Sequence, residues 1–509
     1  MNLSAHTLGR KYVLRMSLNC VLLSLLVCLG ALSALGQEVK LYVSSKAGDR
    51  LTAKPSLKFE SAAKANVPVF HIAAANKLQK MVGFGASFLE AGLICINDLP
   101  KADQESVLRA LFDPDKGAGF SAMKTTIAGT DFQSAGPWYT YDDTPGDVEM
   151  KNFSIKRDLG PNGLITYIKR ARQYGKFMLQ APMDYPPDWM LFDVAKNQDV
   201  NPKFYDALAL YYARYAQEYQ KQGVYVDYIS LFNEPRNDDG GYTHINYKEI
   251  LDLLKNHVGP LFKKEGIKNQ IMFAEAPVRL EAATYYPTVL NDPQARQYIT
   301  DLPYHGYDHL KKGGENFDKL AALHKAYPNL RLWMTEVCHV DEAGQPHLRP
   351  LPNYSWEDGS FWGNMIFSDI ESGASAWVYW NMILDQKGGP WMISPVHRDP
   401  DPNVQHPVVI INRETKKVTY TGLYYYLTHF SKFVRPGAMR ITMDGKYSGI
   451  RGLAFLSPDP KGGSHYVVEL MNDRPADTPV QVDLELNGTH HSLNLTLAAN
   501  SITSAVWKP

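Results

Sequence analysis

Between residues 81 and 380 the chain sets down eight short apolar runs, and most of the stretches between them hold a plausible helix. The runs are Met81–Ala86, Ser121–Ile127, Phe177–Ala181, Val224–Phe232, Gln270–Ala274, Ile299–His305, Leu330–Glu336 and Ser375–Trp380. Runs such as Tyr228-Ile229-Ser230-Leu231-Phe232 do not alternate, which is the pattern of strands buried on both faces. Among the segments between them, Phe204, Leu208, Tyr211, Tyr215 and Tyr219 share one helix face, with Asn201-Pro202 as cap and first-turn proline. Leu164, Tyr167, Ile168 and Ala171 mark a second helix, and Tyr424 to Phe433 reads as a last one. Eight buried strands with helical crossovers fit a (β/α)8 (TIM) barrel. A doubly wound open sheet is the competing architecture, but Gly83-Phe84-Gly85-Ala86-Ser87-Phe88 lacks the third glycine of a dinucleotide turn.

Past Pro436 the texture changes. Ile450–Leu456, Ser464–Met471, Val480–Leu486 and Ser492–Leu497 alternate apolar and polar residues between Gly, Asp and Pro turns, the pattern of antiparallel strands. Glu38–Tyr42 and Pro68–Ala73 also read as strands. The expected organisation is a leader over 1–36, N-terminal strands over 37–80, a catalytic barrel over 81–435 and a C-terminal part over 436–509. The two flanks together form a side antiparallel β-domain.

The leader is expected from Arg10, Lys11 and Arg15 ahead of an apolar run, Val21–Leu29, that is short for a membrane span, followed by Ala34-Leu35-Gly36. It implies export. Lys+Arg and Asp+Glu both number 53 in the whole chain, and removing the leader leaves a slight acidic excess. That balance argues against nucleic acid as a partner. With the leader gone only Cys95 and Cys338 of the 4 cysteines remain, so a disulfide-stapled scaffold is excluded. Asn152, Asn353, Asn487 and Asn494 start glycan-acceptor triplets. No segment predicts an integral membrane contact, and oligomeric state is not legible.

Two of the runs end in a carboxylate: Leu231-Phe232-Asn233-Glu234-Pro235 and Trp333-Met334-Thr335-Glu336. In barrels the chemistry sits at the C-terminal ends of the strands. Cleaving a glycosidic bond needs one protonated carboxyl to give a proton to the leaving oxygen and one ionised carboxylate to attack or to stabilise the oxocarbenium-like centre. Glu234 and Glu336 are the candidates. No His-Glu-x-x-His or other ligand spacing points to a metal, and no cofactor is expected.

Further stretches match in order: Gly83-Phe84-Gly85-Ala86, Thr130-Asp131-Phe132, Tyr139-Thr140-Tyr141-Asp142-Asp143 and Asn152-Phe153-Ser154-Ile155. They continue through Asn233-Glu234-Pro235, Thr335-Glu336-Val337-Cys338, Trp380-Asn381, Gly388-Gly389-Pro390 and His429-Phe430-Ser431-Lys432-Phe433. In these the chain resembles glycoside hydrolase family 30, whose members are retaining enzymes with a barrel and a side β-domain. The resemblance makes Glu234 the acid/base and Glu336 the nucleophile. It implies that Asn233 bonds the sugar 2-hydroxyl, Asp131 holds hydroxyls at the far side of the ring, and Trp380 supplies a flat wall. His305 and Tyr307 would orient the nucleophile.

Two departures bear on substrate. Lys124 stands where the family often carries Arg. Ala181-Pro182-Met183-Asp184 replaces a Ser-Pro-Trp run of glucosylceramidase-like members, so Met183 takes the place of a wall Trp and Asp184 adds a carboxylate. The family's substrates are β-glucosides of ceramide, β-1,6-glucans, β-1,6-galactans and xylans. The leading expectation is a glucosylceramidase-like hydrolase of a β-linked glycoside, glycolipid or polysaccharide. The alternatives are an endo-acting enzyme on one of those polysaccharides, a non-catalytic carbohydrate-binding protein, and a metal-dependent barrel hydrolase.

Overall fold

The computed structural model describes residues 38–60, 66–134, 136–192, 199–236, 245–310, 314–342, 355–392, 403–459, 462–486 and 489–508. The leader and the acceptor asparagines Asn353 and Asn487 lie outside the described residues. The chain divides into two compact units. One is Gln79–Ala438; the other joins the described residues up to Leu78 with those from Met439 onward.

The larger unit is a closed barrel of eight parallel strands: Gly83–Ser87, Ala122–Lys124, Met178–Pro182, Tyr228–Ser230, Gln270–Met272, Ile299–His305, Arg331–Glu336 and Ala374–Asn381. They pair in chain order, and the eighth closes on the first through Ala376↔Gly83. Each falls in or on one of the eight apolar runs. The glycines of the first strand answer the open-sheet alternative, because a Cβ at Gly85 would overlap the Ala122 carbonyl oxygen of the second strand. They permit close strand approach rather than binding a dinucleotide.

Alternation along each strand builds the site from below. Val82, Ala122, Tyr228, Met272, Trp333, Ala376 and Val378 pack together as a buried layer. Lys124, Ser230, Thr335 and Trp380 lie two residues further along their strands than Ala122, Tyr228, Trp333 and Val378. The next layer up is therefore polar, and it sits at the strand ends.

The tyrosine-rich helix runs Tyr205–Lys221, after a 3-10 turn over Pro202–Phe204 capped by the Asn201 side chain on the Lys203 amide. Leu208, Tyr211, Tyr215 and Tyr219 are fully buried on one apolar face, whereas Phe204 falls in the preceding turn and is half-buried. Tyr219 reaches Asp158, whose carboxylate also takes the Tyr139 hydroxyl at 2.9 Å and that of Tyr141. Those bonds tie the long loop after the second strand to this helix. Replacing Asp158 by Ala leaves buried phenols without their acceptor and is expected to destabilise the barrel by about 3 kcal/mol. Thermal unfolding with the barrel's transition temperature unchanged would contradict this.

The smaller unit is a nine-stranded sheet in the order Thr52–Lys58, Glu38–Ser45, Ser501–Trp507, Ser464–Asn472, Ile450–Pro458, Met439–Asp444, Val69–Lys80, Thr478–Leu486, Thr489–Leu497. The two ends of the chain interleave in it. The sheet departs from a purely antiparallel one where Val69–Lys80 meets Thr478–Leu486 in parallel. The strands Thr52–Lys58, Met439–Asp444 and Ser501–Trp507 add to those expected. Its core packs Phe59 edge-on to Trp507, with ring centroids 5.3 Å apart, over Val468, Val482 and Leu493.

Candidate active site

The ends of six barrel strands place charged or polar groups together at the C-terminal end of the barrel. Lys124 ends the second strand, His305 the sixth, Glu336 the seventh and Asn381 the eighth. Asn233 and Glu234 follow the fourth strand, and Glu275 follows the fifth. Asn233 and Glu275 continue the parallel pairing of those two strands as an isolated bridge. Glu234 is held at φ +42°, in the left-handed region that side chains other than glycine rarely adopt. Its amide bonds the Glu275 carbonyl at 2.9 Å, which fixes the strained turn.

The two sequence-chosen glutamates converge. Glu234, His305 and Glu336 offer side-chain atoms that all lie within 4.8 Å of one another. Tyr307 donates its hydroxyl to Glu336 Oε1 at 2.9 Å, and the Lys124 ammonium sits 2.6 Å from Oε2. The same ammonium reaches Glu275 Oε2 at 2.9 Å and Asn233 Oδ1 at 3.2 Å. Three N–H donors thus find three oxygen acceptors, and the lysine serves as a three-way clamp without the planar fork of an arginine. Its charge also faces the Trp380 ring, 5.1 Å from the centroid. Burial alone would lower the Lys124 pKa, but Glu275 and Glu336 carry it above the ordinary lysine value.

His305 departs from its expected role. Its Nδ1 meets Glu234 Oε1 at 2.9 Å and its Nε2 meets Glu275 Oε2 at 2.9 Å, whereas Glu336 is 3.9 Å away. It therefore orients Glu234, and the task of orienting Glu336 falls to Tyr307 and Lys124. Burial opposes its charge, yet Glu336 and the bonds to Glu234 and Glu275 raise its pKa to about 9.

Met183 also departs from expectation. Its side chain is fully buried with its sulfur 3.4 Å from the Tyr212 hydroxyl on the tyrosine-rich helix, so it packs behind the site instead of forming a wall. Asp184 is buried near Lys124, and one of its oxygens has no hydrogen-bond partner among the described residues. Burial pushes its pKa up to about 7 against the pull of Lys124, and Glu336 adds to the rise.

Asp131 accepts from Thr130 at 2.9 Å and from Asn403 at 2.9 Å. Gln405 reaches it at 3.4 Å and in turn accepts from Asn381 at 2.6 Å and from the Cys338 thiol at 3.3 Å. Burial raises the Cys338 pKa well above that of a free thiol, in keeping with a packing role.

Sequence reasoning missed Asn403, Gln405, Gln180 and Glu275. The first two come from a short strand, Asn403–Gln405, which pairs with Val340–Glu342 outside the barrel and carries no motif. Glu275 carries the same signal as Glu234 and Glu336, a carboxylate at the end of a buried strand, and stands one residue past the run Gln270–Ala274.

Among the described residues, one group of side chains brings metal-ligating atoms together: Glu234, His305 and Glu336. Both imidazole nitrogens already face carboxylates and the ammonium occupies one Glu336 oxygen, so the trio is an ion-pair network as it stands.

The two glutamates thus converge at the ends of the fourth and seventh strands of a parallel barrel, the end at which barrel enzymes carry their chemistry. The family model described as "Glycosyl hydrolase family 30 TIM-barrel domain" matches residues 81–434. The chain belongs to glycoside hydrolase family 30, and it is a hydrolase of β-glycosidic bonds. It is 26% identical over 487 residues to putative glucosylceramidase 4 of Caenorhabditis elegans, covering 92% of this chain and 88% of that one. To the endo-1,6-β-D-glucanase of Neurospora crassa it is 28% identical over 405 residues, covering 77% and 78%. The crystal structure of SrfJ from Salmonella typhimurium shares the fold with a TM-score of 0.80 at 19% identity, over 93% of this chain and 100% of that one.

Proposed function

We propose that this is an exported retaining β-glucosidase of the glucosylceramidase-like type, with Glu234 as acid/base and Glu336 as nucleophile. The observation that carries the reading is the approach of one oxygen of each of the two carboxyl groups to within 4.8 Å. Oxygens that close suit the short carboxyl spacing of a retaining enzyme, with direct attack by the second carboxylate, better than the wider spacing of an inverting one. Glu336 forms an ester with the anomeric carbon as Glu234 passes its proton to the departing oxygen. A water then attacks the ester with Glu234 as base. Tyr307 and Lys124 fix both oxygens of Glu336, which limits the motion needed to reach the attack geometry. Asp131 and Asn233 bond the bound sugar, and Trp380 lines the site beside the Lys124 charge.

The sugar is assigned as β-glucose because the two relatives named above, a putative glucosylceramidase and an endo-1,6-β-D-glucanase, both carry glucose in their names. The glucanase relative also supports a second reading, endo action on β-1,6-glucan. A hydrolysis panel separates these: glucosylceramide in mixed micelles, β-1,6-glucan, and aryl β-glucosides, β-galactosides and β-xylosides, with products sized. The expected result is glucose released first as the β-anomer, read by proton NMR before mutarotation. First-formed α-anomer would refute retention, and turnover of xylosides alone would refute the sugar. No helix among the described residues is long and apolar enough to cross a membrane. Export rests on the leader and predicts a mature N-terminus at or near Gln37; intact-mass measurement showing Met1 retained would refute it.

A further inference from the structure

Glu275 lies at the centre of the site with no exposed surface, and no step of the double displacement above uses it. A single oxygen, Oε2, accepts from Lys124 Nζ at 2.9 Å, His305 Nε2 at 2.9 Å and Thr335 Oγ1 at 2.9 Å. The other oxygen takes the Gln180 side-chain amide. From that shared atom two arms run outward. One passes through Lys124 to Glu336 Oε2 at 2.6 Å, and the other passes through His305 to Glu234 Oε1 at 2.9 Å. Each arm carries one cation and ends on one of the two reacting carboxyl groups.

We propose that Glu275 is a charge-balancing positioning residue, which holds Lys124 and His305 as paired cations so that negative charge can pass from Glu336 to Glu234 without changing the net charge of the buried cluster. The inference rests on the roles given to Glu234 and Glu336 above. With Glu234 carrying the proton that its acid role requires, and Asp184 left aside because burial favours its neutral form, two carboxylates, Glu275 and Glu336, face two cations. In the first step the Glu336 oxygen bonds the anomeric carbon, the glycosidic C–O bond breaks, and the Glu234 proton goes to the leaving oxygen. The Glu336 ester is then neutral and Glu234 is ionised, so two carboxylates again face two cations. Each reacting carboxyl has its own cation in place before and after the transfer. In a site closed to water an uncompensated charge is expensive, and a preorganised partner removes that cost from the barrier.

The surrounding titratable groups agree. The charged and titratable neighbours of Glu275 are Lys124 and Asp184 from the second and third strand ends, Glu234 from the fourth, Tyr286 from the helix after the fifth, and His305 and Glu336 from the sixth and seventh. Burial opposes ionisation of Glu275, but Lys124 and His305 hold its carboxyl far below the ordinary range.

The test compares Glu275→Gln and Thr335→Val in the full chain, reading kcat/KM against pH on the best substrate of the panel. Glu275→Gln removes one negative charge but keeps the shape, so the Glu234–His305 pair should release its proton earlier. The expected result is a basic limb moved down by about one pH unit or more, with kcat lowered and KM little changed. Thr335→Val removes a neutral donor from the same oxygen and should leave the limb in place. An unmoved limb in Glu275→Gln, or an equal shift in Thr335→Val, overturns the proposal. A measurement on the unmodified protein guards against a variant that does not fold. Nitrogen NMR of labelled histidine must show His305 as imidazolium at pH 7, and a neutral ring there also overturns it. Loss of activity in Glu336→Gln with an unmoved limb in Glu275→Gln refutes this inference alone, whereas retained activity in Glu336→Gln refutes the reading beneath it.

Discussion

Glu336→Gln is expected to lower kcat/KM on a β-glucoside by about four to six orders of magnitude, the scale on which removal of a covalent nucleophile is felt. The amide is isosteric and still accepts from Tyr307, so the cleft keeps its shape while losing the charge that attacks. The Lys124 ammonium, 2.6 Å from Glu336 Oε2, would then face an uncharged group. Substrate binding should change far less than turnover, since the sugar contacts proposed for Asp131 and Asn233 are untouched. A 2-deoxy-2-fluoro glucoside with a good leaving group gives a direct companion result. Its electron-poor ring slows hydrolysis of the ester, and peptide mass spectrometry of the wild-type protein is expected to find the added sugar on Glu336. Label on another residue, or a variant retaining a tenth of wild-type turnover, would remove Glu336 from the mechanism.

Arg279→Met is the substitution expected to cost most in stability. Arg279 has no exposed surface; its Nε and Nη2 bond the two Asp369 oxygens at 2.8 and 2.9 Å, and Nη1 meets Asp308 at 3.2 Å. Asp369 also accepts from the Tyr304 hydroxyl and the Trp377 indole, and the guanidinium lies 4.3 Å from the Phe317 ring centroid. Removing the cation leaves two buried carboxylates uncompensated, at a cost of about 3–5 kcal/mol. That is a large part of the 5–15 kcal/mol by which a typical folded domain is stable. Asp308 belongs to the same turn as Tyr307, so activity should fall along with stability. Urea unfolding of the barrel is the measurement, and a change below about 1 kcal/mol would contradict the account. Adding Asp369→Asn should recover part of the loss, because it removes a stranded charge.

The barrel was legible because its strands bury both faces, which leaves unbroken apolar runs between helical patterns. Tyr228–Ser230 is only 3 residues of ladder inside a longer run, yet the run still located it. Glu234 and Glu336 were legible because they close such runs. What stayed hidden depends on side chains from distant segments meeting. His305 closes its strand as expected, but nothing in Tyr304-His305-Gly306-Tyr307 says that the histidine turns to Glu234 while the tyrosine turns to Glu336. Met183 occupies a motif position of a wall residue, and only packing against Tyr212 shows it facing away. Asn403 and Gln405 reach Asp131 across more than 270 positions of sequence, a pairing no local pattern encodes.

The interleaved sheet sets an order of events during synthesis. Glu38–Ser45 lies between Thr52–Lys58 and Ser501–Trp507, with Leu41↔Ala505 and Val43↔Thr503 in register. The hairpin of these first two strands therefore emerges with one edge open, and the strand that covers it follows the whole barrel in sequence. Every barrel strand has left the ribosome before that edge can be covered. For that interval the nascent chain presents unpaired backbone amides and carbonyls, a template for joining another copy. Chaperone dependence and yield of the recombinant protein should accordingly follow the speed of elongation between the last barrel strand and Ser501–Trp507 more closely than the intrinsic stability of either unit.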